Sequence, residues 1–313
     1  AFLHGELPRL PAADVGLDEL VAFLEHPTRA FLRHRAGLPV WGADEDPADA
    51  LPIAPGALAR WAVGDRLLRD RLAGRSLEHC RQAEWRRGEL PPGPLGAALL
   101  DEVVADVEPL VAAGTAARAG EPTACDVEVA LPDGTRVTGT VGGMHADAAG
   151  GRAVVRVEYS RLGPKHRVRA WAQLLALTSA RPDVPWRART LGRGSRGGAV
   201  CSTLGPVEPA RAAAVLADLV ELHREGMCRP LPLGVGTAHE LARRVRAGAG
   251  ERDALPEAAR KWTTGVAAEG ADDHHARVFG RPPDASVVGT PEFAALALRV
   301  WGPLLEHESE DVA

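Results

Sequence analysis

The chain has 313 residues and a formal net charge of −5 at pH 7, with 45% hydrophobic and 25% charged residues. This balance is typical of a globular protein with a sizeable core. The acidic net charge excludes a protein that coats DNA through a uniformly basic surface. It is compatible with a local basic groove, because phosphate binding depends on clustered charge and not on the sum.

The four cysteines are dispersed, and no two of them form a CxxC pair. That spacing excludes a zinc ribbon and suits a reducing compartment. No signal peptide and no uncharged apolar run of membrane-spanning length is visible, so the sequence predicts a cytoplasmic protein without membrane contact. The chain begins at Ala1, which fits a piece of a longer polypeptide, a removed initiator Met or a tag scar.

Apolar residues at helical intervals predict that the first third of the chain is helical. Residues 17–38 have this spacing, and Pro27 divides them into two helices at His26–Pro27. Three further helices are predicted, and an acidic, Pro-rich surface loop is expected at 42–56. The three predicted helices cover residues 57–74, 77–87 and 95–113.

The pattern changes at residue 124, where alternation and the turn Pro132–Asp133–Gly134 predict a β-hairpin. A third strand, VVRVEYS at 154–160, is followed by a helix at 166–180 and by short strands at 186–190 and 199–203. Helical patterns then return at 207–227, 236–248, 256–268 and 291–306.

The predicted fold class is therefore α/β, a mixed sheet flanked by helices, with helical N- and C-terminal segments. We divide the chain into a helical lead-in (1–120), an α/β core (121–206) and a helical C-terminal extension (207–313), expected to form one compact unit. The helices at 207–227 and 291–306 have apolar residues on more than one face. We therefore expect part of that surface to pack on another chain or on an N-terminal region that precedes this sequence.

The order helix, three strands, helix and strand resembles the core of the PD-(D/E)xK nucleases. In that family one acid follows a G-x-I pattern on the second strand, and an acid and a lysine lie two residues apart on the third. A glutamine often follows on the next helix. The resemblance implies that the acids hold Mg²⁺ and that the lysine positions the attacking water.

This chain departs from that pattern at two positions. Gly142 stands where the first acid belongs, and Ser160 stands where the lysine belongs. Glu158 and Gln173 match the second acid and the glutamine. Because one carboxylate without a partner or a lysine is a poor Mg²⁺ site, the sequence predicts no catalytic residues and no bound metal here.

Several segments, taken in order, resemble the C-terminal region of the exodeoxyribonuclease V gamma subunit family, RecC: residues 17–38, 37–74, 89–103, 157–179 and 219–233. The resemblance covers most of 17–306. It implies a noncatalytic domain of a RecBCD-type helicase–nuclease, with RecB- and RecD-type partners, DNA ends and separated strands as ligands, and no cofactor. Some helicase–nuclease relatives have an iron–sulfur cysteine before the proline at position 27; His26 stands there, so no cluster is expected.

Eight basic residues form two groups that we predict to contact the DNA backbone. The first group follows the third strand and the second surrounds the glycine-rich hairpin at 192–198. They are Arg161, Lys165, Arg167 and Arg169 in the first group, and Arg187, Arg189, Arg193 and Arg196 in the second. A solvated face and an ordinary hairpin tip are the alternative interpretations.

Two further hypotheses concern metal chemistry. The chain could be an active metal-dependent exonuclease in which Glu158 keeps its role and His145 or Asp147 replaces the missing acid. Residues 272–275 (DDHH) are metal-ligand types, but adjacent residues on a helix point apart, which favours a helix start or a solvated surface.

Overall fold

The structure is a computed structural model that describes residues 2–3, 5–38, 56–265 and 268–313. Trp41 and the predicted acidic loop at 42–56, apart from Gly56, lie outside the described residues. The helices of the described residues are α1 Leu17–Glu25, α2 Pro27–His34, α3 Ala57–Leu72, α4 Leu77–Arg87, α5 Pro94–Ala117, α6 Pro164–Ala180, α7 Pro209–Cys228, α8 Val235–Arg246, α9 Glu251–Thr263, α10 Asp273–Phe279 and α11 Pro291–Glu306.

The strands are β1 Val15–Gly16, β2 Ala119–Ala130, β3 Arg136–Ala146, β4 Arg152–Arg161, β5 Trp186–Arg193, β6 Ala199–Leu204 and β7 Glu308–Val312. The α/β prediction is confirmed, including the helix break before Pro27. Two short strands, β1 and β7, were not predicted, and of α10 only a possible start at 272–275 was predicted. The predicted helix at 256–268 is wrong in its bounds, since α9 begins at Glu251 after an extended N-cap at Gly250.

The β2–β3 hairpin forms where its turn residues predicted it. Gly134 has φ 84°, a left-handed conformation that glycine adopts without steric cost. The Asp133 carboxylate accepts hydrogen bonds from the backbone N–H and the hydroxyl of Thr135, at 3.1 and 2.7 Å. This local bonding fixes the turn and the pairing of the two long strands.

The sheet has the order β1-β3-β4-β5-β6-β7, with β2 also paired to β3. Strand β3 pairs with β2 along the length of one edge. Its other edge is divided between β1 and β4. On this divided edge, β4 pairs at Met144–Ala146 and β1 pairs in parallel at Val137–Thr138. The two strands β3 and β4 therefore separate past Met144 and Val154, and α1 begins at this fork, directly after β1.

Helices cover both faces of the sheet. One face packs against α3, α4 and α5 through a cluster that includes Leu67, Val103 and Tyr159. The opposite face packs against α1, α2, α6 and the C-terminal helices through the larger cluster. That cluster contains residues from Val15 to Leu305, so one core joins the lead-in, the sheet and the C-terminal extension.

The hypothesis that α7 and α11 offer an apolar partner surface is wrong for the residues that suggested it. Leu216, Leu219 and Val220 of α7 are 0% exposed, and Phe293 and Trp301 of α11 are at most 1% exposed. Both helices are apolar on more than one face because they lie within the domain's own core. In the described part of the chain, no helix combines the length and hydropathy required to cross a bilayer.

Candidate functional site

The predicted site lies on the face of β4 that is covered by α1 and α6. Alternation along β4 places Arg156 on the same side as Val154, which belongs to the larger core cluster. Arg156 and Arg169 of α6 both act on the charge of Glu158, which puts Glu158 near this layer. The pairing of β4 with β5 shifts register between Val157 and Arg161. Gln173 of α6 reaches this layer, where its side-chain oxygen accepts a hydrogen bond from Arg156 Nε at 3.1 Å. The structure thus brings the predicted Gln173 and Glu158 close to Arg156, whereas Ser160 follows the register shift.

Two arginines, Arg156 and Arg169, lie near enough to Glu158 to act on its charge. Arg169 of α6 donates to Glu25 of α1 at 2.7 Å, and Arg156 lies two residues before Glu158 on β4. Burial raises the pKa of the Glu158 carboxyl, while the charges of Arg169 and Arg156 oppose that rise. Burial also lowers the pKa of Arg156, against the attraction of nearby carboxylates that include Glu158. The net effect is a raised pKa, because burial outweighs the two guanidinium charges, and Arg169 forms its ion pair with Glu25 and not with Glu158.

Gly142 lies at the fork between β3 and β4. Met144 of β3 pairs with Val154 of β4, and this is the last pair before the two strands separate. Gly142 lies two residues before Met144, and Arg156 lies two residues after Val154, so both lie just beyond that pair. A Cβ atom added to Gly142 would meet no heavy atom within 4 Å. The position therefore has space for a Cβ atom, but glycine provides no side-chain ligand.

Ser160 is occupied by a structural contact. Its hydroxyl oxygen accepts a hydrogen bond from the indole N–H of Trp61, on α3, at 2.9 Å. Tyr159, next to it, packs on the opposite face of the sheet against Gly64 of α3. The end of β4 is thus attached to α3 through two successive residues.

The two residues considered as a migrated acid lie at the other end of β4. His145 of β3 pairs with Ala153 of β4. Ala153 is five residues before Glu158, a separation of roughly 17 Å along a strand. Asp147 lies farther still, and its side chain is 0% exposed between Arg187 and Arg189, at 2.8 and 2.6 Å. Metal ions that act together are about 3.5–4 Å apart, so neither residue forms a shared metal site with Glu158.

Five of the eight basic residues predicted to contact DNA are held in ion pairs within the domain. Arg187 and Arg189 share the buried Asp147, and Arg169 pairs with Glu25. Arg167 is buried and contacts Glu308 and Glu310 of β7. Arg193 donates to Asp106 at 2.6 Å, and its guanidinium lies 4.3 Å from the centre of the Tyr159 ring. The DNA contact of these five stays a prediction, and each of them would have to exchange or share an ion-pair partner within the domain to bind phosphate.

Arg161, Lys165 and Arg196 are exposed, and no ion pair involves them among the described residues. Arg161 pairs with Arg193 across β4 and β5, Lys165 lies in the first turn of α6, and Arg196 is at the tip of the β5–β6 hairpin. All three therefore lie at the end of the sheet where β4 finishes. These three form the free basic group of the site.

Sequence reasoning missed Arg156 and Trp61. The signal for Arg156 was present, because the alternation in VVRVEYS that pairs Glu158 with Ser160 also puts Arg156 on their face. The signal for Trp61 was absent, since the Trp61–Ser160 contact joins residues 99 positions apart.

The sheet and its two helical layers define the chain as a mixed α/β domain, consistent with a nuclease-like fold. The chain belongs to the RecC C-terminal domain family, whose model matches residues 12–246. It is 38% identical over 322 residues to the RecBCD enzyme subunit RecC of Mycobacterium tuberculosis (strain H37Rv), covering 98% of this chain and 28% of that protein. Its identity to the RecBCD enzyme subunit RecC of Mycolicibacterium smegmatis is 35% over 326 residues, covering 98% and 29%. The chain thus spans less than a third of the length of these relatives.

Proposed function

We propose that this chain is a noncatalytic structural and DNA-handling domain of a RecBCD-type exodeoxyribonuclease V complex, acting in double-strand break repair and recombination. Its partners are RecB- and RecD-type subunits and DNA, and its location is the cytoplasm. The proposal takes the complex from the names of the relatives at 35–38% identity. The noncatalytic part of the proposal is based on the residues of the candidate site on β4.

The observation that carries the noncatalytic part is the charge around Glu158. Glycine and serine replace the acid and the lysine of the PD-(D/E)xK pattern, and Arg156 lies near enough to the remaining carboxylate to act on its charge. A divalent cation that prefers several carboxylate oxygens is repelled by a guanidinium at this place. The site therefore keeps the nuclease-like frame without the means to hold Mg²⁺.

The DNA-handling part rests on the free basic group. Arg161, Lys165 and Arg196 lie at one end of the sheet, exposed and available to phosphate oxygens, and the hairpin that carries Arg196 is glycine-rich. Arginine binds phosphate bidentately and glycine allows the close approach of a backbone. Contacts of this kind bind DNA without reading its sequence.

A cleavage assay tests the noncatalytic part. The purified chain is incubated with labelled duplex and single-stranded DNA in Mg²⁺ and in Mn²⁺, beside its Glu158→Ala variant. We expect no metal-dependent cleavage by either protein. Cleavage that requires Mg²⁺ and disappears in Glu158→Ala would contradict the proposal, whereas equal cleavage by both proteins identifies a contaminating nuclease.

A further inference from the structure

A second polar cluster lies outside the nuclease-like site, where the start of α2 meets the start of α10. His26 is the N-cap of α2, and Asp272 is the N-cap of α10. The distance from Asp272 Oδ1 to His26 Nε2 is 3.0 Å, and the distance from Asp272 Oδ1 to His274 Nδ1 is 3.1 Å. The helix start expected at residues 272–275 is observed, and Asp272 and His274, which are two positions apart, contact each other there.

The three side chains present the geometry of a metal site. One ligand atom from each of His26, Asp272 and His274 lies within 4.8 Å of the other two. Two ligands of a tetrahedral zinc ion, with bonds of about 2.0–2.1 Å, are roughly 3.4 Å apart. The observed separations of 3.0 and 3.1 Å need to open by only a few tenths of an ångström. Two imidazoles and one carboxylate form a donor set that favours Zn²⁺ over Mg²⁺ or Ca²⁺.

The surroundings give access to this cluster and leave one polar atom unexplained. His26 and Asp272 line a cavity of about 390 Å³, which provides an entry path and space for a water molecule as a further ligand. His275 also lines it, is 4% exposed, and donates through Nδ1 to the Glu269 carbonyl at 2.7 Å. That bond leaves Nε2 of His275 as an acceptor, and this buried atom has no hydrogen-bond partner in the described part of the chain.

The same atoms also make hydrogen bonds with which a metal competes. The Arg29 backbone N–H donates to His26 Nδ1 at 3.2 Å, so Nε2 of a neutral His26 has a proton directed at Asp272. A metal on Nε2 displaces that proton to Nδ1 and so breaks the long bond to Arg29. Asp272 Oδ1 also accepts the α10 cap bonds from the backbone N–H groups of His274 and His275, at 3.0 and 3.4 Å. A metal on Oδ1 therefore competes with these cap bonds, unless the carboxylate turns so that its other oxygen accepts them.

We propose that His26, Asp272 and His274 bind one divalent ion of the zinc class and thereby fasten α2 to α10. The ligands are 246 residues apart in the chain, and the bond joins the helical lead-in to the C-terminal extension. This inference is independent of the function proposed for the β4 site. Its role is structural, because the ion holds two helix starts together and lies away from the free basic group.

The test is a titration of the metal-stripped chain with ZnCl₂, followed by calorimetry and by thermal unfolding, and with CoCl₂, followed by visible absorption. We expect saturation at one ion per chain and a thermal midpoint that rises with Zn²⁺, because a ligand that binds only the folded state stabilises it. We also expect the absorption of four- or five-coordinate Co²⁺ with imidazole ligands.

Variants locate the ion. His274→Ala and Asp272→Asn should each lower the affinity at least about tenfold. Asparagine at 272 keeps an N-cap acceptor, so α10 stays folded while the metal loses a carboxylate. His34→Ala, an exposed histidine at the end of α2, and Asp273→Asn are matched controls and should bind as the native chain does. Circular dichroism of every variant verifies the fold.

Two results would overturn the proposal. One is the absence of saturable binding up to about 100 μM Zn²⁺, which leaves the cluster as a hydrogen-bonded pair of helix caps. The other is native affinity in folded Asp272→Asn and His274→Ala, which places any bound ion at other ligands.

Discussion

Gly64 shows how closely the helical layer that contains α3 approaches the sheet at the candidate site. It lies in α3, and a Cβ atom added there would come within 2.1 Å of the Tyr159 ring. Tyr159 is 0% exposed and lies between the residues that we compare with the catalytic acid and lysine of nucleases. A glycine at this position is therefore required for α3 to contact β4 and to place Trp61 beside Ser160.

We predict that Gly64→Ala lowers the free energy of unfolding by roughly 1–3 kcal/mol, because the added methyl group overpacks a rigid contact. The gain in helix propensity of less than about 1 kcal/mol is too small to offset this. Urea denaturation measures the change. Gly302→Ala in α11, where an added methyl meets no atom within 4 Å, is the matched control and should be nearly neutral. Equal effects of the two substitutions would contradict the conclusion that the contact between α3 and Tyr159 requires glycine at position 64.

At the scale of the elements, the position of β7 explains the ion pairs of Arg167. This strand pairs with β6 at the edge of the sheet and presents Glu308 and Glu310 to the Arg167 guanidinium. Burial raises the pKa of Glu308, and Arg167 opposes that rise. The arginine therefore attaches the last strand to α6, which explains why a basic residue in the run after β4 is buried.

We predict that Arg167→Ala destabilises the fold by about 3 kcal/mol, because removing one member of a buried pair leaves a carboxylate without its countercharge. Adding Glu308→Gln to that variant should recover part of the loss, since a neutral amide costs less to bury. Denaturation curves of both variants, with exposed Arg161→Ala as the control, measure the effect. A double variant no more stable than Arg167→Ala alone would show that the ion pair contributes little.

The start of α6 makes stability depend on pH. His166 is 5% exposed, its Nδ1 accepts the Gly163 N–H at 3.2 Å, and burial together with Lys165, Arg169 and Arg167 lowers its pKa to about 4. The unfolded chain, with a pKa near 6.5, binds a proton that the folded chain does not. Stability from this group is therefore complete above pH 6.5 and is lost as the pH falls towards 4.

We predict that His166→Asn, which keeps a side-chain acceptor for Gly163, reduces the stability difference between pH 7 and pH 5 by roughly 1–2 kcal/mol. The comparison needs urea denaturation at both pH values. Exposed His34→Asn serves as the control, because its side chain is in solvent in both states. If His166→Asn has the native pH dependence, His166 is not the group responsible.

At the scale of the whole molecule, periodicity predicted the elements but not their long-range contacts. Helical spacing, the Pro27 break and the turn at Gly134 are local signals, and each appeared where the sequence indicated. The short β1 and β7 form only because distant strands offer them an edge. The same reason applies to the site: Gly142 and Ser160 could be identified from spacing, whereas the Arg193–Asp106 pair joins residues 87 positions apart. Charge runs in the sequence therefore overstated the basic surface.

The last prediction concerns DNA binding by the exposed basic residues at the end of the sheet. Only Arg161, Lys165 and Arg196 of the eight basic residues remain exposed and unpaired in the described chain, and each phosphate contact contributes about 0.7–0.9 to the slope of log affinity against log salt. Changing all three to Ser should weaken binding about equally for unrelated sequences and reduce that slope by roughly two to three. Stability should change little, because exposed substitutions away from packed contacts cost less than about 0.5 kcal/mol.

The measurement is a salt titration of labelled single-stranded and duplex DNA binding by fluorescence anisotropy. The matched control replaces three exposed arginines that lie on other elements, Arg33, Arg252 and Arg277, with Ser, so that both variants lose the same net charge. A specific loss in the first variant assigns the contact to the end of the sheet beside β4. Equal losses in both variants would mean that net charge alone governs binding, and an unchanged slope in both would remove this end of the sheet from the DNA path.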